Sequence, residues 1–160
     1  HAALAKLQQA DGFDVVIVTQ NVDDLHERGG ANVIHMHGGL TTALCHSCGH
    51  TWPAPKVMAT SDSCPACAQG TTRPDIVWFG EMPYQMDTIE RHLQACDLFV
   101  SIGTSGNVYP AAGFVQLAKA TGAETLELNL EPSQVASHFD TVVNGPASVV
   151  VPEWVNQLVG

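Results

Sequence analysis

The chain has 160 residues, 45% of them hydrophobic, and carries a formal charge of −10. That size and composition support one core with at most a small appended module, and they exclude disorder as the default state. Six Lys and Arg stand against sixteen Asp and Glu with no basic stripe, which argues against a nucleic-acid partner, and no apolar run approaches the roughly 18 residues of a membrane span.

Residues 1–10, rich in Ala, Leu, Lys and Gln, read as a helix that Asp11 and Gly12 stop. The β-branched run 13–19 predicts a strand buried on both faces. A dense polar cluster, Gln20, Asn21 and Asp23, follows its carboxyl end, where open α/β sheets bind ligands. Residues 23–28 predict a helical turn, broken by Gly29 and Gly30. Residues 42–70 hold two cysteine pairs among prolines and polar turns, the texture of an inserted module. Strand character resumes at 76–79. Met86, Ile89, Leu93 and Cys96 fall at helical spacing, which predicts a helix over 86–96 with Cys96 in the core. A strand at 98–102, a helix at 110–121 and a strand at 125–130 make a right-handed βαβ unit with parallel strands. A last helix is predicted over 152–159.

Cys45-x-x-Cys48 and Cys64-x-x-Cys67 are separated by fifteen residues. Two such knuckles bring four thiolates to tetrahedral reach, which suits one structural Zn²⁺ and leaves no open position for catalysis at the metal. His46 and His50 read as solvated neighbours rather than ligands. The loop Gly103-Thr104-Ser105 offers free amides and hydroxyls between a strand and a helix, and Asn129-Leu130-Glu131 ends the next strand; both are common features taken alone. The expected architecture is α/β: a doubly wound, Rossmann-like parallel sheet (residues 1–41 and 71–160) with a small zinc-ribbon module (residues 42–70).

The order Q-N-V-D at 20–23, H-G at 37–38 and then four cysteines resembles the sirtuins, NAD-dependent protein lysine deacylases, of the bacterial type. The resemblance implies that Gln20, Asn21, Val22 and Asp23 line the nicotinamide and ribose pocket. It implies further NAD contacts at Gly103, Thr104, Ser105, Asn129, Leu130, Glu131 and, near the adenine, Ala147. His37, not His35, matches the catalytic histidine, and imidazole chemistry suits a general base at neutral pH. The run containing Val77, Phe79, Gly80 and Glu81 resembles the strand to which a substrate peptide adds, with Val77 and Phe79 walling the acyl-lysine tunnel. In the implied reaction the acyl oxygen attacks the ribose carbon bearing nicotinamide, and His37 then deprotonates a ribose hydroxyl. Free lysine, nicotinamide and an acyl-ADP-ribose result.

Expected partners are therefore NAD as co-substrate, zinc, and acyl-lysine proteins, in the cytoplasm. Deacetylation is implied, with desuccinylation as a further option. The G-A-G-x-S segment with which the family opens has no counterpart among these residues. The chain is thus expected to be a carboxyl-terminal, incomplete and by itself inactive part of such an enzyme. Two alternatives differ in class: an NAD- or ADP-ribose-binding protein without catalysis, and a zinc-ribbon interaction module.

Overall fold

A computed structural model describes residues 1–59 and 61–160. In chain order the elements are α1 (Ala2–Gln8), β1 (Ile17–Thr19), α2 (Leu25–Arg28), β2 (Val33–His35), β3 (Gly38–Cys45), β4 (Thr51–Pro53), β5 (Thr72–Ile76), α3 (Met86–Ala95) and β6 (Leu98–Ile102). A 3₁₀ turn at Ala111–Gly113 leads into α4 (Phe114–Ala120), followed by β7 (Glu124–Asn129), a second 3₁₀ turn at Ala136–His138, β8 (Thr141–Asn144) and α5 (Ala147–Val159). Among the described residues no helix is long and apolar enough to cross a membrane.

Two compact units divide the chain: Val16–Met86 with His1, and Ala2–Val15 with Asp87–Gly160. In the first, β1 and β2 pair in parallel, with Ile17 opposite Val33 and Thr19 opposite His35. β3 is the centre of an antiparallel three-stranded sheet between β4 and β5. Its register with β5 shifts between Gly39 and Ala43. Gly38 lies opposite Ile76. A methyl group at this position would sit 2.0 Å from the Asp75 carbonyl oxygen, and φ is +73°, so glycine alone fits on both counts. Met36, Ala43 and Cys45 are fully buried in this unit.

In the second unit β6, β7 and β8 form a parallel sheet, with Val100 opposite Leu126 and Leu126 opposite Thr141. Four consecutive β7 residues, Thr125, Leu126, Glu127 and Leu128, are buried. Neighbouring side chains point to opposite faces of a strand, so both faces of the sheet are covered, as in a doubly wound fold. Leu126 and Leu128 share a core with Leu7 of α1 and Val150, Val151 and Val155 of α5. The buried Glu127 carboxylate is not left bare: the Ser133 amide donates to it at 2.8 Å and the Ser133 hydroxyl also donates. That pair fixes the loop leaving β7.

Three expected elements differ. The strand over 13–19 shrinks to Ile17–Thr19. Phe13 and Val16 are exposed, Gly12 turns the chain at φ +87°, and the Gln8 carboxamide takes the Val15 carbonyl that a strand partner would need. The strand over 76–79 is instead Thr72–Ile76, so Val77, Phe79, Gly80 and Glu81 lie past its end in a turn. The last helix begins at Ala147 rather than at Pro152, which stands inside it. Burial of Val150 and Val151 holds that first stretch helical despite the proline's missing donor.

Candidate functional site

β1 ends at the buried Thr19, whose hydroxyl accepts the Asn21 amide at 3.1 Å and turns the chain into the 20–23 loop. The chain returning through β2 brings two histidines to that loop. His37 Nδ1 lies 3.1 Å from the Gln20 carbonyl oxygen, and His35 Nδ1 lies 3.1 Å from the Asn21 carbonyl oxygen. A carbonyl only accepts, so Nδ1 of His37 carries the proton and its Nε2 lone pair is free to take one. Among the described residues His37 Nε2 has no hydrogen-bond partner. The Val22 carbonyl receives the Leu40 amide at 2.8 Å, which ties the far end of the loop to β3.

The turn after β5 is attached directly to this site. The Val77 amide donates to the His37 carbonyl at 2.9 Å. Beyond it, Trp78, Phe79 and Met82 are exposed, and Phe79 is 99% accessible. The turn is braced from below: Arg73 donates to both Glu81 oxygens, at 2.9 and 3.2 Å, and the Trp78 amide donates to Glu81 at 3.0 Å. The Trp78 amide first, then Arg73, hold the Glu81 carboxyl below the usual range. Nearby, the Tyr84 hydroxyl donates to Asp75 at 2.8 Å, and burial together with that carboxylate pushes it up to about 12. A cleft of about 450 Å³ opens beside these groups, lined by Asp23, Asp24, Glu27, His35, Gly38 and Tyr84 among others.

In the other unit, three loops gather at the carboxyl ends of β6, β7 and β8, and Asn129 joins them. Its side-chain amide donates to the Thr104 carbonyl at 2.7 Å, and its own carbonyl accepts the Gly145 amide at 2.9 Å. Gly103 donates to the Leu128 carbonyl at 3.0 Å. The Thr104 hydroxyl accepts from Gly106, and the Ser105 hydroxyl from Asn107. Gly103, Ser105, Leu130, Glu131 and Ala147 are exposed around this joint. The expected NAD contacts of this unit thus form one surface at the strand ends.

The four cysteines converge. Their sulfurs lie within 4.8 Å of one another, with Cys45–Cys67 at 3.6 Å and Cys48–Cys64 at 3.8 Å. Sulfurs about 2.3 Å from a shared centre stand about 3.8 Å apart in a tetrahedron, so the set fits one zinc ion. The two knuckles use the same backbone bonds. Gly49 donates to the Cys45 carbonyl and Ala68 to the Cys64 carbonyl, each at 2.9 Å; Cys45 and Cys64 in turn donate to His50 and Gln69. The Thr71 hydroxyl draws the Cys45 thiol down to about 6, whereas Cys67, despite the Gln69 amide, is pushed up to about 12 by burial and its neighbouring thiols. Four thiols this close resist joint ionisation, and a divalent cation supplies the charge that permits it. His46 and His50 are exposed, and His50 stacks on Trp52 rather than facing the sulfurs.

The fifth position of each knuckle has positive φ, +72° at Gly49 and +59° at Ala68. Only the first is a glycine. Ala68→Gly is therefore expected to raise the unfolding free energy of the zinc-loaded protein by about 1 kcal/mol. Denaturant titration at fixed metal concentration measures this, and an unchanged midpoint would show that Ala68 carries no strain.

Sequence reasoning missed three supporting groups: Thr71 beside Cys45, Arg73 beneath Glu81, and Glu27, whose carboxylate lies 2.6 Å from His35 Nε2. None belongs to a local pattern.

Residues 1–110 match the profile of the Sir2 family. An NAD-dependent protein deacylase of Caulobacter vibrioides is 55% identical over 163 residues, covering 99% of this chain and 68% of that protein. An NAD-dependent protein deacylase of Escherichia coli K12 is 53% identical over 160 residues, 99% and 57%. Among solved structures, a Sir2 homolog–NAD complex superposes with a TM-score of 0.88 at 34% identity, covering 98% of this chain and 63% of that one. Sir2Af2 bound to a myristoylated histone peptide superposes at 0.84 and 30% identity, covering 99% and 70%. The chain thus spans little more than half to about two thirds of the length of these relatives.

Proposed function

Because this chain belongs to the Sir2 family, we propose that it supplies the general base, the nicotinamide-side loop and the zinc module of an NAD-dependent protein lysine deacylase. Such an enzyme moves the acyl group of a modified lysine to ADP-ribose and releases nicotinamide. The observation that carries the reading is the His37 ring: Nδ1 is spent on the Gln20 carbonyl, so Nε2 is the atom that takes a proton. Asn21 and Asp23 offer an amide and a carboxylate to a carboxamide, which would orient nicotinamide for departure. Val22 closes the loop's base through Leu40.

Val77 is tied by its backbone to His37, so an acyl-lysine held along 77–81 would lie beside the base. The exposed Phe79 and Trp78 offer apolar walls, while Gly80 and the braced Glu81 fix the turn. Acyl-lysine proteins are the proposed substrates; acetyl groups fit this reading, and succinyl groups are part of it as a further option. In the second unit, residues 103–105, 129–131 and Ala147 are proposed to hold the ribose and phosphate oxygens and the adenine. Zinc, when bound by Cys45, Cys48, Cys64 and Cys67, supplies cross-linking and no chemistry. We read residues 42–70 as its module, entered from β3 and left into β5, within a Rossmann-like remainder. Thiolate ligands persist in reducing compartments, which supports a cytoplasmic location.

Pyrophosphate binding usually rests on a glycine-rich turn at a helix start, and these 160 residues contain none. The 160 residues alone are therefore expected to bind NAD far more weakly than a protein containing such a turn, and not to turn over. Calorimetric titration with NAD, beside a deacylation assay on an acetyl-lysine peptide, tests this. Micromolar affinity together with turnover by these residues would refute it. A longer protein that binds NAD or ADP-ribose yet leaves every acyl peptide intact would favour a non-catalytic binder, and a folded 42–70 with no NAD binding would favour an interaction module.

A further inference from the structure

The ring of His35 faces two acceptors at once. Nδ1 is 3.1 Å from the Asn21 carbonyl oxygen and Nε2 is 2.6 Å from Glu27 Oε1. Neither oxygen can donate while Glu27 is ionised, so the ring makes both bonds only when both nitrogens carry hydrogen. Glu27 is matched to that role. Burial pushes its carboxyl up, but the His35 bond and the backbone amide outweigh burial and hold it below the usual range. Both side chains are partly exposed, 24% and 44%, and line the acidic cleft with Asp23, Asp24 and Asp75.

We propose that His35, oriented by Glu27, is a positioning residue that clamps the 20–23 loop in its binding geometry. The two histidines divide the loop between them. His37 takes the Gln20 carbonyl and keeps a free nitrogen; His35 takes the next carbonyl and spends its second nitrogen on Glu27. Asn21 is otherwise attached at its amide, to the Thr19 hydroxyl, so the His35 bond is what fixes the other side of the same residue. Since His37 has its own anchor, releasing His35 loosens the placing of Asn21 and Asp23 without dislodging the base. The inference rests on the reading of this loop as the nicotinamide side of an NAD site.

The test compares His35→Ala, His35→Asn and His35→Gln in a longer protein that contains the full NAD site. Asparagine places its amide nitrogen about where Nδ1 stands and can still donate to Asn21; glutamine reaches the Nε2 position and can satisfy only Glu27. Losing a charge-assisted bond corresponds to about a tenfold effect. His35→Ala and His35→Gln are expected to raise KM for NAD about tenfold with kcat within twofold, and to speed amide hydrogen exchange at residues 21–23 about tenfold. His35→Asn is expected to restore both to within threefold. Unchanged KM and exchange in His35→Ala, or rescue by glutamine as complete as by asparagine, would overturn the clamp. If a longer protein containing the full NAD site shows no turnover while exchange still rises in His35→Ala and falls back in His35→Asn, the clamp stands and the deacylase reading is the one that fails.

Discussion

Replacement of Cys64 by Ala is expected to unfold residues 42–70 rather than to weaken them by a small increment. Truncating a buried side chain of this size costs about 1–2 kcal/mol through packing alone. Structural zinc in small peptides contributes roughly 10–16 kcal/mol of apparent folding energy, and three thiolates with an open corner hold it much less tightly. The whole stability of a domain is only about 5–15 kcal/mol, so the metal term decides the outcome. The paired knuckle bonds do not compensate, because backbone bonds of this kind are worth about 1 kcal/mol each. Metal analysis by mass spectrometry beside hydrogen exchange across 42–70 reads the result. Folded, protected and zinc-free protein, unaltered or substituted, would remove the metal from the account.

His37→Ala is expected to lower deacylation by a protein containing the full site about 10²–10⁴-fold, the range typical of losing a general base. NAD affinity should change little. The side chain is anchored to the Gln20 carbonyl, which belongs to a loop that Thr19, His35 and Leu40 also hold. Single-turnover kinetics with a binding titration separates the two effects. Turnover within a few-fold of the parent would pass the base role to another group, and equal losses in binding and rate would make His37 a structural anchor.

The sequence made the metal cluster legible because its information is local. Two C-x-x-C pairs need only form turns, and the turns are written beside them in Gly49 and Pro65. The parallel strands Leu98–Ile102 and Glu124–Asn129 were equally readable, as an apolar run and a leucine-bearing segment separated by a helix-length gap. Residues 13–16 misled because their composition is that of a strand while no strand among the described residues pairs with them; the Gln8 side chain takes the Val15 carbonyl instead. β2 and β8 escaped notice because three or four residues carry no alternation, and β8 is exposed throughout. Pro152 reads as a helix start, yet the core valines ahead of it settle the matter from a distance. The same holds for function. Residues 20–23 and His37 lie in a recognisable run, whereas Glu27 with His35, and Arg73 with Glu81, meet eight residues apart through tertiary geometry that no periodicity encodes.

Gly38 sets a limit on anyone who would redesign acyl selectivity in this scaffold. There is no room for even a methyl group between position 38 and the Asp75 carbonyl, so any side chain placed there would push β3 and β5 apart. The neighbouring bond from the Val77 amide to the His37 carbonyl would pass a displacement of the 77–81 turn to the residue proposed as the base. On the proposed reading, enlarging an acyl channel by shifting this turn would misalign that base as the space was gained. Selectivity is better altered by exchanging side chains such as Phe79 on an unmoved backbone, or from a wall contributed by other segments.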